Sequence, residues 1–407
     1  MKTVAAAIEF GTSKIVTLLA ESGGFTRCEI VGSGTVPYAG YSEACWNDPD
    51  GVLPAIEASI HAAEVEAKRS IHEIYVGVPG ECILVRTAIG EVDIASPDGR
   101  VSAEDITNVM DAAADVLGLD ALGGNVLHRS PAWFTVDNGK RTMQPMNVHL
   151  RGNKLQAMVS FILADPAFID DVRVWMGELG ITINAFLAPS MGMSLLLMSF
   201  DERDRTPVVL LDVGYLNTEF SVIEGDAITY HAVIPMGGGH ITAGLAEALE
   251  IGMDDAEDIK RRFSFSPDEF EMQSDPEVRF EDGSVVTFPR EFVDDTVKGV
   301  ADELIEMIQM VLQHAAGRIA ARSQIYLTGG GLVNMHGGKE YLAEKLERGV
   351  KIPVVRAARL NNPRFSSALG LMDLVFESVE HQTVIEEDRS EKAGGLKNKL
   401  FRRTPNA

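Results

Sequence analysis

The chain has 407 residues, of which 45% are hydrophobic and 24% charged, a composition typical of globular proteins with two to four domains. The formal net charge of −24 disfavours nucleic-acid binding, because an acidic surface repels phosphate groups. The three cysteines show no CxxC spacing and indicate a reducing, cytoplasmic compartment. The nine histidines show no HExxH motif, so we expect no zinc site.

The first element in the chain is a predicted β-hairpin at residues 4–20, which read VAAAIEFGTSKIVTLLA. An acid, Glu9, ends the first strand, and Gly11 opens the turn. A glycine lets the backbone approach a ligand closely, and successive amides in a turn form an anion-binding nest. Glu9 can hold a water on Mg²⁺. The candidate phosphate-binding residues of this turn are Gly11, Thr12, Ser13 and Lys14.

Residues 208–223, VVLLDVGYLNTEFSVI, repeat this pattern half a chain later. Asp212 aligns with Glu9, and Gly214 aligns with Gly11. Two such hairpins predict a pseudo-symmetric protein with two lobes that grip phosphates between them. Hairpins of this kind also occur in many α/β proteins, which is the alternative. The candidate ligand-binding residues here are Asp212, Gly214 and Thr218.

Two glycine-rich turns follow. Glycines 237–239 precede a predicted helix at Ile241–Leu249, and the sequence AEDIK then places an acid and a lysine on one helix face. Both side chains can reach a ribose or a base, although a surface ion pair is the alternative. The sequence IYLTGGG at 325–331 indicates a buried strand and a turn that approaches a nucleotide, or merely a tight turn. The candidate nucleotide-binding residues of these segments are Gly237, Gly238, Glu257, Lys260, Gly329, Gly330 and Gly331.

These segments together resemble the FtsA family of bacterial cell-division actin homologues, within the actin/Hsp70/sugar-kinase superfamily. The resemblance is carried by IEFGTSKIVTLLAE, by IPMGGGHIT followed by AEDIK, by LTGGG and by NPRFSSALGLM, and it extends over residues 4–376. It implies an α/β, two-lobed, actin-like ATPase fold with an inserted small α+β domain of the 1C or SHS2 type. It also implies ATP or ADP as a cofactor, with Mg²⁺ held through water by Glu9 and Asp212.

The resemblance divides the chain into segments with distinct roles. The expected segments are lobe 1 (1A) at 1–82 and 163–204, the inserted 1C domain at 83–162, lobe 2 (2A) at 205–236, subdomain 2B at 237–315, the rest of 2A with the return to 1A at 316–376, a linker at 377–393 and a membrane tail at 394–407. For the inserted domain, the residue pattern predicts strands at Ile83–Ile94 and Gln156–Leu163 and a helix at Ser102–Leu117. It also predicts a long helix at Phe292–Ala321 and a buried helical region at Ala185–Phe200.

The second hairpin departs from the family pattern. The family usually has DIGGGTTD there, whereas this chain has DVGYLNTE from Asp212 to Glu219. Tyr215 and Leu216 crowd the backbone where a phosphate would approach. A glutamate at 219 is one carbon longer than aspartate and would misplace a water that it orients. We therefore expect nucleotide binding with weak or absent hydrolysis, and no catalytic residues.

The last fourteen residues, GGLKNKLFRRTPNA, contain four basic residues and no acid. They carry +4, so the preceding 393 residues carry −28 of the total. Three apolar residues at spacings i, i+4 and i+5 predict a short basic amphipathic helix that lies in a membrane interface, as in FtsA proteins. A disordered basic tail is the alternative. The candidate membrane-binding residues are Leu396, Lys397, Lys399, Leu400, Phe401, Arg402 and Arg403.

The expected function is that of a non-enzymatic adaptor on the cytoplasmic face of the cell membrane at the division site. It would polymerise, tether the FtsZ ring by docking the FtsZ C-terminal peptide on 237–315, bind the anionic membrane and receive later division proteins on 83–162. No nucleic-acid partner is expected. The alternatives are an actin-like pilus-assembly protein, which the basic tail disfavours, and a small-molecule kinase or ATPase, for which no substrate aspartate is evident.

Overall fold

The computed structural model describes residues 3–378 except 24–26, 44, 120–124, 144, 147–149, 267–273, 281 and 356. The predicted membrane tail and all of the predicted linker beyond residue 378 therefore lie outside the described residues. Within the described part of the chain, no helix combines the length and the apolar character needed to span a bilayer.

The helices and strands are numbered in chain order. Helices α1 to α10 are Pro49–Ala67, Ala103–Leu117, Pro166–Glu178, Pro189–Leu197, Phe200–Arg205, Gly238–Leu249, Met253–Arg262, Arg290–His314, Gly338–Leu346 and residues 366–378. Strands β1 to β17 are Val4–Phe10, Lys14–Ser22, Cys28–Pro37, Tyr41–Ser42, Cys45–Trp46, Glu73–Gly77, Ile83–Asp93, Asn125–Val136, Lys154–Ala164, Thr182–Leu187, Val208–Val213, Thr218–Glu224, Ala227–Ile234, Glu277–Arg279, Val285–Thr287, Ile325–Thr328 and Val350–Lys351.

Two five-stranded sheets share one topology. The first large sheet has the order β10-β6-β1-β2-β3, and the second has the order β13-β12-β11-β16-β17. In each, a predicted hairpin begins an antiparallel meander, and the next strands along the chain add in parallel on the other side. The repeat read from the sequence is thus a structural repeat. Because each hairpin supplies the first two strands of its sheet along the chain, the two turns lie at corresponding positions.

Alternation of side chains along β11 explains how the second sheet is buried on both faces. Val209, Leu211 and Val213 face one apolar core, while Val208 and Leu210 join the core of the first sheet. Successive residues of a strand point to opposite faces, so a continuous apolar run fits a strand covered on both sides. The two sheets therefore share an apolar base in addition to their separate cores.

A third, small sheet has the order β7-β9-β8 and carries α2 on one face. Helix α2 begins with a capping box, in which the Ser102 hydroxyl accepts from the Asp105 amide and the Asp105 carboxylate accepts from the Ser102 amide. The observed β7, α2 and β9 agree with the elements predicted for the inserted domain to within two residues. This is the small α+β unit of the expected fold class; its exact boundaries at 83 and 162 stay a prediction.

Two predicted helices differ from the observed elements. The long helix runs from Arg290 to His314 and not to Ala321, because the chain turns after the last buried positions, with Ala315 capping the helix and Gly317 in the turn. Region 185–200 begins as strand β10, since Pro189 opens α4 and keeps the preceding residue extended. Helix α10 continues through residue 378, two residues into the segment predicted as a linker.

Candidate functional site

The two hairpin turns meet between the large sheets. The amide of Leu216 in the second turn donates to Thr12 Oγ1 in the first, at 3.0 Å. Within the first turn, the Gly11 amide donates to the Lys14 carbonyl at 3.0 Å, and Tyr38 donates its hydroxyl to the Gly11 carbonyl at 2.7 Å. Turns that lie 204 residues apart in sequence are thus in direct contact.

The two glycine-rich turns pack directly against the second hairpin. The amides of Gly238 and Gly331 donate to the carbonyls of Gly214 and Val213, at 2.9 and 2.8 Å. A Cβ atom on Gly238 would lie 2.5 Å from the Gly331 Cα, and one on Gly331 would lie 2.3 Å from the Gly214 carbonyl oxygen. These glycines are required because backbones cross here without room for side chains. Gly329 adopts a positive φ of 85° beside Asp212.

Three carboxylates converge between the sheets. Glu9, Asp212 and Glu219 are partly accessible but lie deep in the protein, and burial raises the pKa of each. Burial and then the Glu9 charge raise the pKa of Asp212 to about 7, while burial and then Asp212 raise that of Glu219 to about 8. Ser367 donates to Glu9 at 3.2 Å, and the Gly80 amide donates to Glu219 at 3.1 Å.

The three carboxylates Glu9, Asp212 and Glu219 bear on whether the protein holds a metal ion. Among the residues that the structure describes, no group of three or more histidine, cysteine, aspartate or glutamate side chains is placed to hold a metal ion. The cation that the sequence predicts between Glu9 and Asp212, held through water, stays a prediction.

A second contact across the cleft, the space between the two large sheets, was not predicted from the sequence. Gly80 and Glu81 lie just after β6, where the Asn217 side-chain amide donates to Glu81 Oε1 at 2.8 Å. His231 Nε2 donates to the Gly80 carbonyl at 3.1 Å, which leaves Nδ1 to accept the Ser221 hydroxyl at 2.9 Å. The Pro79-Gly80 pair after a buried strand is the sequence signal of this turn.

The AEDIK residues hold two helices together. Lys260 Nζ donates to the Gly238 carbonyl, Thr242 Oγ1 and Glu257 Oε2 at 3.0, 2.8 and 2.6 Å, so all three ammonium protons are engaged. Burial lowers the pKa of Lys260. The Tyr215 ring centroid lies 5.8 Å from this ammonium. Lys260 thus fixes the start of α6 against α7, and the ribose contact expected from the sequence stays a prediction.

The remaining candidate residues lie around this assembly. Gly237 donates its amide to His240 Nδ1 at 3.1 Å, and Thr218 donates its hydroxyl to the Met236 carbonyl at 2.7 Å. Lys14 Nζ lies 5.6 Å from the Phe365 ring centroid. The Ser13 carbonyl accepts the Tyr38 amide at 3.2 Å, and a Cβ atom on Gly330 would lie 3.1 Å from that of Arg364. The membrane candidates from Leu396 to Arg403 lie outside the described residues.

Known proteins of similar sequence were compared with this chain. The family model described as "Cell division protein FtsA" matches residues 209–370, which include the second hairpin, AEDIK and LTGGG. The cell division protein FtsA of Pseudomonas aeruginosa is 26% identical over 375 residues, covering 90% of this chain and 87% of that protein. The chain resembles FtsA. The resemblance drawn from the motifs is confirmed.

Solved structures agree with an FtsA-like chain at the level of the fold. The PilM-PilN type IV pilus biogenesis complex matches with a TM-score of 0.61 and 17% identity, covering 91% of this chain and 98% of that chain. MreB 5 of Spiroplasma citri bound to AMPPNP matches with a TM-score of 0.52 and 10% identity, covering 94% and 99%. These likenesses confirm the predicted actin-like fold.

Proposed function

We propose that this chain is an FtsA-like cell-division adaptor that binds ATP or ADP with Mg²⁺ between its large sheets, self-assembles and links the FtsZ ring to the membrane. The observation that carries the nucleotide site is the convergence of both hairpin turns, both glycine-rich turns and three partly accessible carboxylates at one place. The actin-like neighbour from Spiroplasma citri, described as bound to AMPPNP, supports it.

The carboxylates fit a hydrated divalent cation. Glu9 and Asp212 lie close enough for the charge of one to raise the pKa of the other, and a cation between them would relieve this repulsion. The phosphate-binding turns fit less directly, because the amides of Gly238 and Gly331 already donate to protein carbonyls. A phosphate would therefore rely on the first turn, from Gly11 to Lys14, more than on these two amides, and we expect moderate affinity. When bound, the cation would neutralise phosphate charge.

Weak or absent hydrolysis is supported by Glu219. This residue occupies the position of the final acid in the family hairpin, but its carboxylate accepts the Gly80 amide at 3.1 Å. Burial and then the Asp212 charge raise the pKa of Glu219. Because one carboxylate oxygen already accepts the Gly80 amide, Glu219 is a weaker base for an attacking water than an unengaged aspartate would be. The role proposed for the chain is accordingly that of a nucleotide-binding adaptor.

The nucleotide site is tested by titrating a fluorescent ATP analogue into the full chain with and without Mg²⁺. We expect saturable, Mg²⁺-dependent binding that Asp212→Asn weakens about tenfold, corresponding to roughly 1.4 kcal/mol, while phosphate release stays at background. Asp98→Asn, at an exposed loop of the small sheet, is the matched control and should bind normally. Steady ATP turnover at enzyme-like rates, or equal binding by Asp212→Asn, would contradict the proposal.

The expected docking site for the FtsZ C-terminal peptide on 237–315 contains a suitable cavity. It has a volume of about 660 Å³ and lies where α7, α8 and the chain before β14 meet. Ile259, Phe263 and Val293 supply apolar surface, Arg262 and Arg290 supply positive charge, and Asp275 and Glu277 supply negative charge. An apolar floor with charges of both signs at its rim suits a short peptide with apolar anchors and an acidic group that faces Arg262.

Peptide docking is tested with Arg262→Glu. Reversing this charge in the cavity should weaken binding of a labelled FtsZ C-terminal peptide at least tenfold in fluorescence anisotropy, because it replaces attraction by repulsion. Arg261→Glu is the control, since Arg261 is not among the lining residues. Equal losses in both variants would indicate non-specific charge attraction and would remove this cavity as the site.

The remaining roles rest on the resemblance and on the sequence of the tail. They are self-assembly into filaments, binding of later division proteins to 83–162, and attachment of residues 394–407 to the cytoplasmic face of the membrane at the division site. A pilus-assembly role is the competing reading, because the PilM-PilN complex matches the fold. The FtsA match over residues 209–370 favours the division role.

A further inference from the structure

The small sheet contacts strand β13 of the second large sheet, and the central strand β9 packs against different elements on its two faces. Five alternate residues face α2 and form the core of the small unit: Leu155, Ala157, Val159, Phe161 and Leu163. The intervening residues face the opposite way. Among them, Ser160 donates its hydroxyl to the Ile228 carbonyl on β13 at 2.5 Å, and Ile162 joins the apolar base that contains Ile228. The small sheet therefore packs between α2 and β13.

The turn that precedes β13 is embedded in the small sheet. A Cβ atom on Gly225 would lie 2.2 Å from Met143 Sδ and 2.5 Å from the Ala132 carbonyl oxygen. Ala132, Trp133 and Ala227 form a separate buried apolar cluster. The guanidinium of Arg141 lies 4.0 Å from the Trp133 ring centroid and pairs with Glu224 at 3.6 Å. We call this contact, between residues 132–160 and 224–228, the brace.

The second half of strand β13 lies at the cleft between the two large sheets. His231, three residues beyond Ile228, donates to the Gly80 carbonyl, and the Gly80 amide donates to Glu219. Strand β13 pairs with β12 from Ala227 to Ile234 with a register shift at Thr229, and His231 lies opposite Ser221 and Val233 opposite Glu219. One short strand thus touches the small sheet at its start and the carboxylate-lined cleft further along. Although β13 is the edge strand of its sheet, its first three residues are buried by this contact.

We propose that the brace couples the small sheet to the cleft, so that a protein bound to the small α+β unit alters how firmly the hairpin turns hold each other. Opening of the cleft has to move β13 relative to Gly80. Such movement either breaks the Ser160–Ile228 contact or carries the small sheet with the second large sheet. Ile228 and His231 lie only three residues apart on β13, so a displacement of Ile228 at the brace reaches His231 through one short segment of strand. The coupling does not depend on the proposed nucleotide.

Hydrogen exchange of the full chain, without nucleotide, tests the coupling. Ser160→Ala removes the hydroxyl at the brace, and Trp133→Ala removes an apolar contact there. Both variants should raise the exchange rates of the Gly80 and Leu216 amides at least threefold, in addition to rates within the brace. Val116→Ala is the control, because Val116 is 69% exposed on α2, on the opposite face of the small sheet.

The outcomes separate coupling from local loosening. A rise at Gly80 and Leu216 in Ser160→Ala, with none in Val116→Ala, supports the proposal. Faster exchange confined to residues 132–160 and 224–228 would overturn it, as would unchanged exchange everywhere in Ser160→Ala. Should Trp133→Ala fail to fold, the conservative Ser160→Ala variant decides the question. Because no nucleotide is present, failure here leaves the nucleotide proposal intact.

Discussion

Single side chains in this protein do work that their spacing did not reveal. Lys260 and Glu257 share a helix face as predicted. The Lys260 ammonium, however, donates all three of its hydrogen bonds within the protein, to Gly238, Thr242 and Glu257. Periodicity identifies a face of a helix, but the carbonyl that meets this face belongs to another helix and is set by tertiary packing. For the same reason the role of His231 could not be predicted, because its partner Gly80 lies 151 residues away in the sequence.

His128 gives a prediction about pH at the residue scale. Its Nε2 accepts the Ala188 amide at 2.8 Å, and burial lowers its pKa to about 4 from an ordinary 6.5. Between these values the unfolded chain binds a proton that the folded chain does not, so stability falls as pH falls below 6.5. The expected loss from this group is about 1–2 kcal/mol between pH 7 and pH 5, since the side chain is only partly buried.

Chemical denaturation at both pH values measures this effect. His128→Gln, which keeps an acceptor, should reduce the difference in unfolding free energy between pH 7 and pH 5. His61→Gln, at an exposed position on α1, is the matched control and should leave the difference unchanged. An unaltered pH dependence in His128→Gln would show that other groups, such as His231 with its similarly lowered pKa, account for the acid sensitivity.

At the scale of elements, both hairpins, two strands of the small sheet and helices α2, α6 and α8 followed from residue patterns, whereas β8, α1 and α3 were not predicted. Apolar strands that end in an acid and a glycine turn predicted both hairpins, and the Ser102 cap predicted α2. The contact of β9 with β13 could not be predicted, because the residue pattern of a strand does not specify which element covers each face. The end of α8 was placed too late, since helix-forming residues continue past the last buried turn.

The crossing of the glycine-rich turns gives a prediction at this scale. Gly331→Ala places a methyl group 2.3 Å from the Gly214 carbonyl oxygen, so we expect a loss of about 1–3 kcal/mol in unfolding free energy and weaker nucleotide binding. Gly299→Ala is the matched control, because it lies in the middle of α8 with no atom within 4 Å. It should stabilise the protein by about 0.5–1 kcal/mol. Equal stability of the two variants, measured by denaturation, would contradict the tight crossing.

At the scale of the whole molecule, the net charge of −24 is unevenly distributed along the chain. The first 393 residues carry −28 and the last fourteen carry +4. Burial of three apolar side chains contributes roughly 4–9 kcal/mol at most, and each basic residue near anionic lipid adds about 1 kcal/mol. Ordering the tail would remove half or more of this sum, so under the proposed function one tail would bind weakly and a filament with many tails would bind firmly.

The adaptor role is therefore tested most directly by flotation with liposomes. The full chain should float with anionic liposomes and remain at the bottom with neutral ones, while a variant without residues 394–407 should remain at the bottom with both. A variant that lacks 380–393 but keeps the tail is the matched control and should float. Flotation of the chain without residues 394–407 would contradict the account, because the acidic body would then itself bind the membrane.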